Sequence, residues 1–339
     1  MTRFMVRRSC LALLSLWGVA TIVFFMSKLI PGDVARVAAG RLATREQVEA
    51  MREKLHLDQS VLVQYLDFMK RLVHGDFGES VVTHQKVSND LLNVLPTTVQ
   101  LVVLTMIIVV AVAAPLGIVA AVNEGRAADI AARVVLVLSG GVPMFWLAIM
   151  LRWSLSLRLG WFPISGTNSV GMAPPRVTGF TVIDSLLFGT MGNVVDSVAH
   201  LLLPAVALSM PFITTLARII RSNMMTAMKS DFITFAVSKG VPRRRVVMRH
   251  AFRSSLGAVV TIFGMQFGWM ISAAVLVEAV FSLPGIGSYL YGSITSQDTF
   301  AVLAAVLVIG LVFIVTALIT DMLQRLLDPR VRNAPGGAS

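Results

Sequence analysis

Long apolar runs separated by shorter polar connections dominate this chain. Six of them reach the roughly 20 residues that cross a hydrocarbon core about 30 Å thick. They are residues 9–30, 98–122, 130–151, 199–220, 256–281 and 300–323. Only helices or closed barrels satisfy the backbone in lipid, and these runs are too long and unbroken for barrel strands. The pattern predicts an all-α polytopic membrane protein with six transmembrane helices.

Composition and charge agree with this class. The chain is 56% hydrophobic and 14% charged, and its net charge is +11. The basic residues cluster near both termini and in the connections after the second and fourth runs. By the positive-inside rule these parts share the cytoplasmic side. The charge therefore indicates topology, and no basic soluble module is present for binding nucleic acid.

The largest polar region, residues 31–97, lies between the first two runs and is predicted to be extracytoplasmic. Two amphipathic helices are predicted in it, over residues 45–57 and 61–73, the second with Val61, Tyr65, Phe68 and Leu72 on one face. Two interpretations stay open. The region is a cap packed on the membrane domain, or it is a docking surface for an extracytoplasmic binding protein.

The segment 230–254 is polar and strongly basic, although apolar runs lie on both sides of it. Ser230 or Asp231 is predicted to cap a short helix, Gly240 to end it, and Pro242 to start the next helix. The predicted apolar stripe of the short helix contains Phe232, Phe235, Ala236 and Lys239. This stripe indicates a cytoplasmic protein partner. An amphipathic helix on the membrane surface, or a positive loop that only sets topology, are the alternatives.

The same segment resembles a motif of a known protein family. Thr234, Phe235 and Ala236 occupy a triplet, Gly240 follows it, and the run 249–253 reads Arg-His-Ala-Phe-Arg. The arrangement resembles the cytoplasmic EAA segment of ABC importer permeases, in the version of the dipeptide/oligopeptide branch and its B-type permease. Two of the three triplet positions depart from Glu-Ala-Ala, which weakens the triplet itself.

Further motifs of the same family follow in its order along nearly the whole chain. They are Pro-Gly-Asp at 31–33, Gln-Tyr at 64–65, GDFGES at 75–80, LPTT at 95–98, VPMFW at 142–146, LGWFPISG at 159–166, LPA at 203–205, EAVFSLPGIG at 278–287 and Asp-Pro-Arg at 328–330. One such motif alone is weak. The ordered set makes the resemblance specific.

The resemblance implies a type I importer permease fold with an extracytoplasmic domain between helices 1 and 2. It divides the chain into residues 1–30, 31–97, 98–323 and a tail at 324–339, with a coupling segment at 229–250. It also implies a multi-pass protein of the bacterial plasma membrane with both termini in the cytoplasm. The implied ATPase-coupling residues are Asp231, Phe232, Thr234, Phe235, Ala236, Lys239, Gly240, Arg249 and His250.

The implied partners are a second, homologous permease, P-loop ATPase subunits and an extracytoplasmic binding protein. The permease pair is expected to be a heterodimer. Short peptides are the implied substrate, although members of this permease type also handle nickel, glutathione, haem and oligosaccharides.

Several residues within the apolar runs are candidates for packing or pore roles. Gly264 and Gly268 form a GxxxG pair for close helix contact, inside the subunit or between subunits. Gln266 either lines a pore or forms a helix–helix hydrogen bond. Arg152 either extends to the outer interface or faces the pore, where it favours a substrate carboxylate.

A sharp extracytoplasmic turn is predicted at the end of the fifth run. Its residues are Glu278, Phe281, Pro284, Gly285 and Gly287. Glu278 is expected to remain in contact with water or to cap the following turn.

No sequence motif supports catalysis by this chain. It has no GxxxxGK[ST] loop to hold ATP phosphates, no catalytic constellation and no metal-ligand cluster. The chain is therefore expected to have no cofactor of its own, and ATP and Mg are expected on partner ATPase subunits. The alternative is an ATP-independent secondary transporter or channel. Against it, the mid-bilayer positions lack carboxylates and no inverted repeat is visible.

Overall fold

The computed structural model describes residues 2–29, 33–40, 43–54 and 56–327, and within them the fold is helical. The helices are α1 (Thr2–Leu29), α2 (Val34–Ala39), α3 (Arg45–Lys54), α4 (Val61–Val73), α5 (Val87–Val122), α6 (Ala127–Gly141), α7 (Met144–Leu151), α8 (Thr181–Phe188), α9 (Met191–Met228), α10 (Asp231–Ser238), α11 (Arg243–Arg245), α12 (Arg253–Phe281), α13 (Ile286–Thr295) and α14 (Thr299–Leu327). Two π-helical stretches, Arg152–Arg158 and Val246–Phe252, extend α7 and precede α12. The all-α polytopic prediction is confirmed.

Five helices of the described residues are long and apolar enough to cross a membrane, and the number rises to six when one bent pair of helices is counted as a single span. The prediction of one continuous helix over 130–151 is wrong. The chain bends by 92° between α6 and the helix that starts at Met144. Pro143 causes the break, because its ring disfavours helical geometry in the preceding residue, and Val142 is extended there.

The second and fourth spans are longer than their apolar runs. α5 begins at Val87 and α9 has 38 residues, about 57 Å of helix. The predicted domain boundary at residue 98 thus falls inside a continuous helix. These two helices form the centre of the core. They approach so closely at Gly117 that an added Cβ would lie 2.8 Å from the Ala217 carbonyl oxygen.

The two helices predicted between the first two spans are present near their predicted positions, and α2 is an additional, unpredicted helix. α4 has the predicted bounds, and α3 ends three residues early at Lys54. α4 packs on α1. The Tyr65 hydroxyl lies 2.8 Å from the Thr21 hydroxyl, and the Phe68 and Phe24 rings lie 5.4 Å apart. This part of the region is therefore a cap on the membrane domain, and the docking interpretation remains a prediction.

The GDFGES turn is bound to the start of α14. Ser80 donates its hydroxyl to Asp298 at 2.6 Å, and the backbone N–H of Val81 donates to the same carboxylate at 2.9 Å. Asp298 is fully buried and precedes α14. Of the other family motifs, residues 31–32 and 328–330 lie outside the described residues, as does the tail beyond 327.

The segment 177–190 contains one short helix, α8, and α9 begins directly after it at Met191. Its buried Asp184 accepts hydrogen bonds from the Thr178 hydroxyl at 2.7 Å and from the backbone N–H groups of residues 177–179 at 2.8–3.2 Å. Burial raises the pKa of the Asp184 carboxyl, but these hydrogen bonds outweigh it and hold the pKa below its usual range. The carboxylate thus fixes the loop that leads into α8.

Candidate functional site

The short helix α10 begins and ends sharply. Ser230 occupies the position before it, but its hydroxyl donates back to the Ala227 carbonyl, so the predicted side-chain cap by Ser230 is absent. The end is a Schellman motif. Gly240 has φ +76°, its N–H donates to Val237 at 2.9 Å, and the N–H of Val241 donates to Ala236 at 3.2 Å. The prediction that Gly240 ends the helix is confirmed.

α10 has one exposed and one buried apolar face. Phe232 is 48% exposed and Phe235 61% exposed, whereas Ile233 and Ala236 are buried. The prediction that Ala236 shares the stripe of the phenylalanines is wrong, since it faces the core instead. The ammonium of Lys239 lies 4.3 Å from the centroid of the Phe235 ring.

The buried face of α10 belongs to the core of the membrane domain. Ile233 packs in one hydrophobic cluster with Val246, Val247 and Ala251, which lie in the π-helical stretch that leads into α12. The same cluster includes Met224 of α9. α10 is therefore held by both spans that it connects.

The exposed residues around α10 are strongly basic. On α10 itself, Asp231 and Thr234 are exposed. In the π-helical stretch that follows, Arg249 is exposed and His250 is half-buried. Arg243, Arg244 and Arg245 form the exposed short helix α11. Pro242 precedes this helix and is not its first residue. Among the described residues, no salt bridge neutralises these arginines.

At the opposite end of α12, Glu278 is fully buried. Its carboxyl accepts a hydrogen bond from the Thr98 hydroxyl at 2.6 Å and from the N–H groups of Gly287 at 2.8 Å and Ser288 at 3.2 Å. The Thr98 oxygen in turn accepts the N–H of Ile286 at 2.8 Å. The prediction that Glu278 caps the next helix is confirmed, and the alternative that it stays in contact with water is wrong.

The turn after Glu278 requires its glycines. A side chain on Gly285 would overlap the Glu278 carboxyl, and one on Gly287 would overlap the backbone of Val275. Phe281 is 1% exposed, and its carbonyl accepts the N–H of Gly166 at 3.1 Å. Pro284 is exposed at the tip of the turn. Two of the family motifs, at 159–166 and 278–287, thus meet in space.

The GxxxG pair makes a contact inside the subunit. A side chain on Gly264 would overlap Thr320, and one on Gly268 would overlap Phe313, both on α14. The two glycines therefore allow α12 and α14 to pack closely. Of the two alternatives for this pair, the structure favours the one within a single chain.

Each of the two pore candidates, Gln266 and Arg152, donates a hydrogen bond to a backbone carbonyl of another helix. Gln266 is 5% exposed and donates its amide to the Phe212 carbonyl at 3.3 Å, which favours the helix–helix hydrogen bond. The guanidinium of Arg152 donates to the Val280 carbonyl in the last turn of α12. A cation is favourable at a helix C-terminus. Arg152 therefore binds the C-terminal end of α12, and its place at the outer interface or at the pore stays a prediction.

Sequence reasoning missed a buried ion pair between α6 and α9. Arg221 of α9 makes two contacts with Asp129 of α6, at 2.9 and 3.0 Å, and Asp129 is 1% exposed. Arg133 lies 3.4 Å from the same carboxylate. Because Asp129 is an isolated acid at the start of an apolar run, its burial with a partner could have been anticipated.

A second missed residue is Arg218, one turn from Arg221 on α9. It is exposed, and no described residue forms a salt bridge with it. It lines a cavity of about 360 Å³ with Thr214, Thr215 and Gly140. An unpaired cation in a membrane span is expected to face water or a partner.

The described residues contain no group of three potential metal ligands. What they present is a set of membrane-crossing helices with one short amphipathic helix held between the fourth and fifth spans. This arrangement defines a polytopic helical membrane protein, and comparisons with known proteins identify its family.

The chain belongs to the family described as the binding-protein-dependent transport system inner membrane component, which matches residues 113–333. The N-terminal part of the same membrane component matches residues 1–102. The protein is thus a permease.

Curated relatives align over almost the full chain. The di/tripeptide transport system permease protein DppB of Pseudomonas aeruginosa is 34% identical over 98% of this chain and 99% of its own length. The dipeptide permease DppB of Escherichia coli K12 is also 34% identical, over 98% and 99%. A putative peptide transport system permease of Brucella abortus is 36% identical, over 98% and 99%.

Proposed function

We propose that this chain is the pore-forming permease subunit of an ATP-driven, binding-protein-dependent importer, and that α10 docks on a separate ATPase subunit. The observation that carries the proposal is the two-faced α10. Its exposed Phe232 and Phe235 offer apolar surface to a partner, while Ile233 and Ala236 anchor it in the core. An ATPase on another chain is required, because this chain has no P-loop for ATP and Mg.

The packing of α10 supports a role as a lever. A force on the exposed phenylalanines passes through Ile233 to Val247 and so to the start of α12, and also to Met224 of α9. The Schellman end at Gly240 keeps the helix from unwinding. Thr234, Arg249 and His250 belong to the same proposed docking surface, and the unpaired arginines favour an acidic partner surface.

Peptides are the proposed substrates, on the strength of the relatives' names. We place Thr215 and Arg218 of α9 on the translocation path, because Arg218 is exposed and carries no salt bridge within the described chain. A guanidinium there favours the terminal carboxylate of a peptide.

The rest of the assembly follows from the same proposal. A second homologous permease, as a heterodimer, completes the pore. A binding protein delivers substrate to the side of residues 31–97, and the ATPases bind the opposite, cytoplasmic side. Both termini lie on that cytoplasmic side, and the assembly belongs to the plasma membrane of a bacterium.

The double variant Phe232→Ala/Phe235→Ala tests the docking proposal. Full burial of a phenylalanine contributes roughly 1.5–3 kcal/mol. About half of each ring is free to be covered (48% and 61%), so losing both rings should weaken ATPase binding by about 2–3 kcal/mol, or roughly 30- to 140-fold. The affinity is measured by titrating the purified ATPase onto the permease complex in nanodiscs.

The matched control is Phe25→Ala/Phe188→Ala. These rings are 50% and 52% exposed but lie at the opposite end of the molecule from α10. The control should bind the ATPase as the wild type does. Equal affinity for the wild type and the α10 variant would overturn the docking proposal and favour the ATP-independent transporter.

A further inference from the structure

A cavity of about 560 Å³ lies between the end of α1, the helix α4 and the start of α14. Lys28 lines it from α1, where the apolar stretch Arg7–Lys28 ends, and Phe300 lines it from the first turn of α14. Two membrane-crossing helices thus terminate at this cavity. Its mouth therefore lies where the hydrocarbon core meets the lipid headgroups.

The polar lining of the cavity is mainly cationic. Its titratable residues are Lys28, Lys54, Lys70, Arg71, His56, His74, Asp67 and Asp76. Four cations against two carboxylates leave a charge of +2 with both histidines neutral. Asp67 is spaced to pair with Lys70 and Arg71 along α4, but no salt bridge within the described residues joins any of these side chains.

The base of the cavity is aromatic and apolar. The Phe24 and Phe68 rings lie 5.4 Å apart, and Phe300 and Leu303 line the same space from α14. The cations lie directly over these rings. The Lys28 ammonium is 5.3 Å from the Phe24 centroid, and the Arg71 guanidinium is 5.8 Å from that of Phe300. The cavity therefore suits a ligand with an anionic head and an apolar tail.

The exposed residues on the outer side of α4 favour a lipid over a soluble anion as the ligand of this cavity. Leu62, Leu66 and Val73 are 68%, 58% and 84% exposed, on a helix that also carries Lys70 and Arg71. Such a helix lies in the membrane interface with its apolar side in the acyl region. Lipid is therefore expected beside the cavity along α4, and a soluble anion would leave the aromatic base unused.

We propose that this cavity binds one anionic phospholipid, with its phosphate between the basic residues of α1 and α4 and an acyl chain against the aromatic base. The lipid joins α4 to the ends of two spans. The cap over residues 61–73 is thereby fixed on the membrane domain.

Native mass spectrometry of the full chain with added phosphatidylglycerol or phosphatidylcholine tests the proposal. We expect one phosphatidylglycerol to be retained in preference to phosphatidylcholine. In Lys70→Gln/Arg71→Gln its binding should weaken about thirtyfold, because each basic residue at a membrane surface contributes roughly fivefold to binding anionic lipid. The control Arg45→Gln/Lys86→Gln removes two exposed basic residues outside the cavity and should bind as the wild type does.

Lys28→Gln/Lys54→Gln, on the opposite wall, provides a second test should the first variant fail to fold. It should lose the same single lipid. Inorganic phosphate is added as a competitor, to test for a soluble anion. It should not displace the bound lipid at the concentrations at which phosphatidylglycerol binds. Equal retention of the two lipids, unchanged binding in a folded variant, or equally strong binding of inorganic phosphate would each overturn the proposal.

Discussion

Replacing Glu278 should destabilise the protein, and the loss should grow with the number of hydrogen bonds that each replacement removes. In Glu278→Ala the N–H groups of Gly287 and Ser288 and the hydroxyl of Thr98 all lose their acceptor in a buried site. Each orphaned buried group costs about 1–3 kcal/mol. Relief of the desolvation of the carboxyl offsets part of this sum. We expect a net loss of about 3 kcal/mol in the free energy of unfolding.

Glu278→Gln separates these contributions. The amide oxygen can still accept from Gly287 and Ser288, but the amide N–H₂ then faces the Thr98 hydroxyl, which already accepts the N–H of Ile286. Only the Thr98 hydroxyl loses its acceptor, so the expected loss is about 1 kcal/mol. The alanine and glutamine variants should therefore differ by roughly 2 kcal/mol.

The assay is chemical unfolding of the purified chain in mild detergent, followed by tryptophan fluorescence. Leu276→Ala is the control, because this side chain is 49% exposed on the same helix and should matter little. The reasoning is refuted if Glu278→Ala is no less stable than this control, or if the glutamine and alanine variants are equally destabilised.

Three further outcomes are expected. Gly268→Leu should impair the packing of α12 on α14 and lower the yield of folded protein, since the new side chain meets Phe313. Gly268→Ala should lower the yield less, and size-exclusion profiles compare the two variants. Asp184 should stabilise the fold above about pH 4, and this contribution should be lost as the pH falls through its lowered pKa. Asp184→Asn should therefore flatten the pH dependence of thermal stability below about pH 4. Arg218→Gln should reduce uptake of peptides with a free carboxylate about tenfold, and Arg218→Lys should restore part of it. Arg158→Gln, an exposed arginine over the Trp153 ring, is its control and should leave uptake unchanged.

The sequence predicts the helices well because apolar length and helix-end chemistry are local. The bounds of α4 and the end of α10 at Gly240 follow from periodicity and from the glycine that the left-handed position favours. Pro143 itself favours a break in the helix, but the run is apolar on both sides of it, so hydropathy alone predicts one continuous span. The early start of α5 was not visible, since Val87–Val94 is less apolar than the span it extends.

The candidate site is predicted less completely, because it depends on which side of each helix meets the core. Ala236 and Phe235 are neighbours in the sequence, yet one is buried and the other exposed. The partners of Arg152 and Glu278 come from distant parts of the chain, Val280 and Thr98 respectively. Such contacts are set by the packing of whole helices, which no local pattern reports.

ATP-dependent uptake in proteoliposomes tests the central claim most directly. The chain is reconstituted with its second permease and ATPase, and labelled dipeptide uptake is measured with the binding protein outside and ATP inside. The account predicts uptake that requires ATP and is lost in Phe232→Ala/Phe235→Ala but kept in Phe25→Ala/Phe188→Ala. Uptake that proceeds without ATP, or that is undiminished in the α10 variant, would contradict it.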